Sequence, residues 1–146
     1  MAITSAVCNS FKQEILEADH NFTASTGNTF NLALYTSSAT LGASTTAYSS
    51  SNEITNTSGT SYSAKGKALT SVTPTLDSST AVCDFSDVSW TSASFTANGC
   101  LIFNDSHSTD AAVCAIAFGG DKTVSSGTFT IQFPAAAAST AIIRIA

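Results

Sequence analysis

The sequence predicts an all-β fold, a mostly antiparallel β-sandwich or barrel-like body, with one amphipathic helix at its N-terminus. The first reason is that the second half of the chain is cut into short apolar runs by turn residues, the spacing of sandwiches and small barrels. A second is the alternation over Thr128–Phe133, where Phe129, Ile131 and Phe133 point one way and Thr128, Thr130 and Gln132 the other. The helix rests on Val7, Cys8, Phe11, Ile15 and Leu16, which recur at spacings of three and four.

At 146 residues the chain fits one domain, residues 1–146, large enough to bury a core without disulfides or a metal. The helix is predicted over residues 4–18, capped by Thr4 or Ser5. Glu14, Glu17 and Asp19 oppose the helix dipole at its C-terminal end, so tertiary contacts must hold it. A first strand is predicted over residues 30–35, where Phe30, Leu32 and Leu34 alternate with Asn31, Ala33 and Tyr35. Residues 36–67 form a long polar surface excursion with few large apolar anchors beyond Leu41, Tyr48, Ile54 and Tyr62. A loop of that length inside a compact domain implies a task, so it is a candidate interaction segment.

Short strands are expected over residues 68–145. Their boundaries are predicted at Asp77-Ser78, Asn98-Gly99, Asn104-Asp105, Gly119-Gly120-Asp121, Ser126-Gly127 and Pro134. Asn98-Gly99 carries a two-residue hairpin signal, because both residues tolerate positive φ.

Only 10% of residues are charged, against roughly 25% in an average globular protein, and Ser, Thr, Ala and Gly fill the space. A hydroxyl-covered surface of low charge suits close packing in an assembly. The net charge of −5 and five scattered basic residues argue against a hold on nucleic acid or anionic lipid. No apolar run has the length of a membrane helix, and no export signal is visible. The glycosylation patterns at Asn21, Asn56 and Asn104 are chance products of a Ser/Thr-rich chain. Cys8, Cys83, Cys100 and Cys114 lack the Cys-x-x-Cys spacing of metal sites. The last three sit in apolar runs that suit small buried hydrophobes, with a cross-strand disulfide as the alternative.

Residues that could carry chemistry are few. His107 lies in a polar hairpin loop with Asp105 and Asp110, a set that reads as a solvated turn before it reads as a cation site. Asp84 and Asp87 are two carboxylates without a catalytic setting. No catalytic residue, metal ligand or cofactor site is predicted, and the chain is not expected to be an enzyme. The candidate partner contacts are Phe11 and Ile15 on the helix, Tyr48, Ile54 and Tyr62 in the excursion, and Trp90, the sole tryptophan, which reads as a core or hinge residue at a strand end before it reads as an anchor for a partner.

Several stretches in order carry a resemblance. They are Phe30-Asn31-Leu32-Ala33-Leu34-Tyr35-Thr36, Asn52-Glu53-Ile54, Asp84-Phe85 with Trp90, and Gly99-Cys100-Leu101-Ile102-Phe103-Asn104. The run Phe129-Thr130-Ile131-Gln132-Phe133-Pro134 and the ending Ile142-Ile143-Arg144-Ile145 complete the set. Together they resemble small virion proteins of tailed bacteriophages, including those that infect cyanobacteria. The resemblance implies a structural protein of the virion, assembled in the host cytoplasm. The expected role is a capsid decoration (cement) protein that reinforces the head shell; the alternative is a tail, collar or baseplate component or adhesion module. It implies the major capsid protein or other virion proteins as partners, and a homo-oligomer, a trimer being favoured.

Overall fold

Residues 2–55 and 62–146 are described by a computed structural model. In chain order the elements are β1 (Ala6–Val7), α1 (Asn9–Leu16), β2 (Phe30–Tyr35), β3 (Lys67–Ala68), β4 (Ser71–Asp77), β5 (Thr80–Phe85), β6 (Val88–Asn104), β7 (Ala111–Ile131) and β8 (Ile143–Ile145). They build two sheets, one of five strands in the order β1-β7-β6-β2-β3 and one of three in the order β4-β5-β8. Every pairing between these strands is antiparallel, so the all-β class and the single N-terminal helix are as the sequence predicts.

The core lies on the turn-proximal half of the β6–β7 hairpin, residues 97–104 and 111–115, and on β2. Leu32, Ala33 and Leu34 are all fully buried, so both faces of β2 are covered and its sequence is nearly continuously apolar. The small sheet docks on this body through aromatic rings. Phe22 stacks on Phe30 at 4.2 Å, Phe85 meets Phe30 at 6.0 Å, and Phe133 meets Phe85 at 5.4 Å. Offset and tilted ring pairs add to what area burial alone supplies.

Three expectations are corrected. The helix is shorter than residues 4–18, because Ala6 and Val7 pair with Ala115 and Cys114 of β7 and cannot also wind. Ser5 is not a cap: its Oγ accepts the Ala117 N–H at 2.9 Å, and Cys8 occupies the cap position. Leu16, expected on the inner face, is 88% exposed.

Second, Asn98-Gly99 is no hairpin. Gly99 lies inside the 17-residue β6, paired with Tyr35 on one side and Ala117 on the other. A Cβ there would fall 2.6 Å from the Ile116 carbonyl oxygen and 2.8 Å from Ile3. The glycine therefore serves close packing rather than a turn. Gly119-Gly120-Asp121 and Ser126-Gly127 likewise lie within the 21-residue β7, at register shifts opposite Ala97–Gly99 and Ala93–Phe95 of β6. Bulges use the same small and polar residues as turns, because both place residues at positive φ; Gly119, Gly120 and Ser126 all do so. The inner face expected of Phe129, Ile131 and Phe133 keeps its alternation but is half-buried, lining an open groove of about 510 Å³ with Phe118 and Ile142.

Third, the excursion is anchored over its described residues. Tyr35 bridges to Glu53, the Ile54 N–H donates to the Leu34 carbonyl at 2.9 Å, and Ala39, Glu53, Ile54 and Tyr62 are buried. Its middle, residues 56–61, lies outside the described residues. The return into β3 passes through Gly66 at φ +67, where a Cβ would sit 1.8 Å from the Leu32 carbonyl oxygen. Only glycine fits there.

Candidate functional site

Of the six candidate contacts, four are spent inside the molecule. Phe11, Ile54, Tyr62 and Trp90 are all buried in the main core. Phe11 packs 4.9 Å from the His20 ring and 6.0 Å from Phe22, so its helix face is turned into the body. Trp90 sits 5.7 Å from Tyr62, with the Lys67 ammonium 5.6 Å from its ring centroid. These side chains cannot meet a partner in this fold, because withdrawing any of them would open the core. Tyr48 is half-buried, stacked on Phe103 at 4.8 Å. Ile15, also half-buried, borders two apolar surface grooves, one of which the buried Phe11 also lines.

That surface is where the exposed apolar side chains gather. Among the described residues, the large hydrophobics left exposed are Leu16, Val72, Leu76 and Ile145, at 88%, 42%, 74% and 55%. Leu76, Ala81 and Ile145 are in register across β4, β5 and β8, so they form one row on one face of the small sheet. Ile145 and Leu16 line a common groove of about 330 Å³ with Val7, Phe11 and Ile15. A second groove, of about 460 Å³, runs between the loop at His20–Thr23 and the small sheet, and Ile15, Ile143 and Ile145 line both. Strand β4 itself is exposed along nearly its whole length on both faces. Scattered single apolar residues are ordinary on a surface, whereas a row of this kind beside two apolar grooves makes this face the candidate for a contact.

The polar loop at residues 105–110 is closed by a lysine. Lys65 Nζ lies 2.8 Å from Asp105 Oδ1 and 2.8 Å from Asp110 Oδ2, the position that a bound cation would need. These two carboxylates raise the Lys65 ammonium well above its ordinary pKa. His107 Nδ1 is engaged with Thr109 Oγ1 at 3.0 Å. No group of three metal-ligating side chains is present among the described residues. In Lys65→Met the two carboxylates would lose their cation. Its melting temperature should fall and recover partly with millimolar calcium, while the native protein does not respond; equal calcium response of both proteins in thermal melts would refute this reading.

The remaining titratable groups do structural work. Asp84 Oδ1 accepts the Phe85 N–H at 2.8 Å and Asp87 Oδ1 accepts the Phe133 N–H at 2.9 Å, so each carboxylate holds a backbone donor of its own. His20, buried, lies 2.8 Å from Glu14 Oε2 through Nε2 and 3.1 Å from Asn104 Nδ2 through Nδ1. The Asn104 amide is oriented by Ser106, whose N–H donates to Asn104 Oδ1 at 3.0 Å, so Asn104 donates and His20 Nδ1 accepts. The proton of neutral His20 then lies on Nε2, facing Glu14, and the end of α1 is tied to the turn after β6. All four cysteines are free thiols.

Sequence reasoning missed Leu16, Leu76 and Ile145. For Leu16 the helical spacing pointed inward; Cys8, Phe11 and Ile15 do pack on the body, but Leu16, the last residue of α1, lies beyond the edge of that contact. The alternation Val72, Pro74, Leu76 was visible, but nothing local says that a strand is uncovered on both faces. No helix among the described residues is long and apolar enough to cross a membrane. No protein family, curated protein or solved structure matches the chain.

Proposed function

We propose that this chain is a structural protein of a tailed-phage virion, a head decoration protein that reinforces the shell by binding neighbouring subunits. The observation that carries the proposal is the small sheet, with β4 open on both faces and the row Leu76, Ala81 and Ile145 beside Leu16. A rigid body presenting an uncharged apolar row within a hydroxyl-rich surface gains by burying it against another protein. The sequence resemblance to small virion proteins supplies the setting. In that setting the partners are the major capsid protein or other virion proteins.

Mass spectrometry of purified particles carrying this chain tests the proposal. Copy number comparable to the major shell protein is expected of a decoration protein. A handful of copies per particle would replace it by a tail, collar or baseplate role.

A further inference from the structure

The groove that holds Leu16 and Ile145 is bordered by Lys12 and Arg144, two of the five basic residues in an acidic chain. Neither cation meets a carboxylate among the described residues. Lys12 Nζ donates to Asn9 Oδ1 at 3.1 Å, and Arg144 donates to the Ala138 carbonyl at 3.0 Å. Just past Leu16, the exposed Glu17 accepts from the Gln13 amide at 2.9 Å, and among the described residues the carboxylate of the exposed Asp19 reaches only His107, at 3.8 Å. The apolar centre thus has Lys12 before it along the helix and Arg144 beside it on β8, neither paired with a carboxylate among the described residues, and carboxylates without a lysine or arginine after it.

We propose that a second copy of this chain docks on this face, with α1 antiparallel to its mate across a two-fold axis near Ile15 and Leu16. The inference rests on reading the surface as one for protein contact, and it names a partner. Lys12 lies about one turn before Leu16, while Glu17 and Asp19 follow it. Reversing one helix against the other therefore sets Lys12 of each copy beside Glu17 and Asp19 of the other, at both ends of the contact. Symmetry doubles every favourable pair, as an isologous interface requires. Leu16 and Ile145 of the two copies cover one another in the centre, and the charged rim fixes register more than affinity. Such pairing closes at two copies, so the unit is a dimer rather than the trimer favoured for a shell position, and β4 with Val72 and Leu76, outside the shared groove, is left for the contact with shell proteins.

Sedimentation equilibrium of the full chain tests this without any virion, so its outcome is separate from the particle assignment. The native protein should form a reversible dimer, and Leu16→Glu should raise the dissociation constant at least about tenfold with an unchanged far-UV spectrum. Lys12→Glu and Glu17→Lys should each weaken the dimer. The two together should restore it, because in a self-pairing interface each copy then carries both reversed partners. A native protein that stays monomeric, a dimer indifferent to Leu16→Glu, or a double variant no better than either single one would each overturn the proposal. A native monomer whose Leu16→Glu variant fails to join particles would assign the face to a shell protein instead, and would overturn it too.

Discussion

Raising the pH from 9 to 11 should cost the protein several kcal/mol of stability and carry it close to unfolding. The cause is a set of buried thiols. Burial pushes Cys114 from 9.0 up to about 12 and, with the Glu14 carboxylate adding to it, Cys8 from 9.0 up to about 11. Cys100, fully enclosed, is raised well above the ordinary value by the same desolvation. The unfolded chain releases these protons near pH 9 while the folded chain retains them. Stability is therefore fully present below pH 9 and is lost as the pH rises toward the folded-state values. For Cys114 alone, taken through its whole range, the loss is about 4 kcal/mol, a large part of the roughly 5–15 kcal/mol that holds a domain together. Tyrosines add to it above pH 10: burial and the neighbouring Glu53 carboxylate raise Tyr48 to about 12 and Tyr62 further still. Urea midpoints measured under reducing conditions should fall steeply over this interval, and more gently in a Cys100→Ala, Cys114→Ala variant. A midpoint that stays level from pH 8.5 to 11 would contradict the burial of these thiols.

What could be read from the sequence was whatever depends on neighbours along the chain. The six residues of β2 and the alternation through Phe129, Ile131 and Phe133 are local patterns of period two, and they stand. Strand ends were misread because a bulge and a turn share their residues. Asn98-Gly99 and Gly119-Gly120 end a strand only if the chain reverses there, and here the partner strand continues alongside. That information is held in pairing between residues 97–99 and 117–122, not in either segment. Candidate contacts suffered from the same blindness: aromatic residues isolated in polar sequence, such as Tyr48 and Tyr62, look like exposed anchors until the fold brings them onto Glu53. The candidate contact surface rests on Leu16, Leu76 and Ile145, which sit in three different elements and come together only through strand register and helix placement.

Replacing Glu53 by alanine should destabilise the protein by about 4 kcal/mol, since charge-assisted hydrogen bonds are worth roughly 1.5–3 kcal/mol each and two are lost together. Glu53 is a nearly buried carboxylate in the polar excursion, accepting from Tyr48 Oη at 2.5 Å and from Tyr62 Oη at 2.6 Å. Tyr62 Oη in turn accepts the Leu34 N–H at 3.0 Å, and the Tyr48 N–H donates to the Asp110 carbonyl at 2.9 Å. One carboxylate thus ties both arms of the excursion to β2 and to the loop after β6. Alanine would leave the buried Tyr62 hydroxyl and the half-buried Tyr48 hydroxyl without this acceptor, which costs more than replacing the whole network by apolar groups. Glu53→Gln keeps one acceptor oxygen and should lose less, about 2 kcal/mol. In a cycle combining Glu53→Ala with Tyr62→Phe, the two losses should fall well short of adding, because the pair shares one bond. Limited proteolysis supplies the structural readout: cleavage between residues 36 and 55 should accelerate in Glu53→Ala while the β6–β7 hairpin stays intact. A stability loss below about 1 kcal/mol, against the principle that orphaned buried donors are costly, would mean that the excursion is held by its apolar anchors alone.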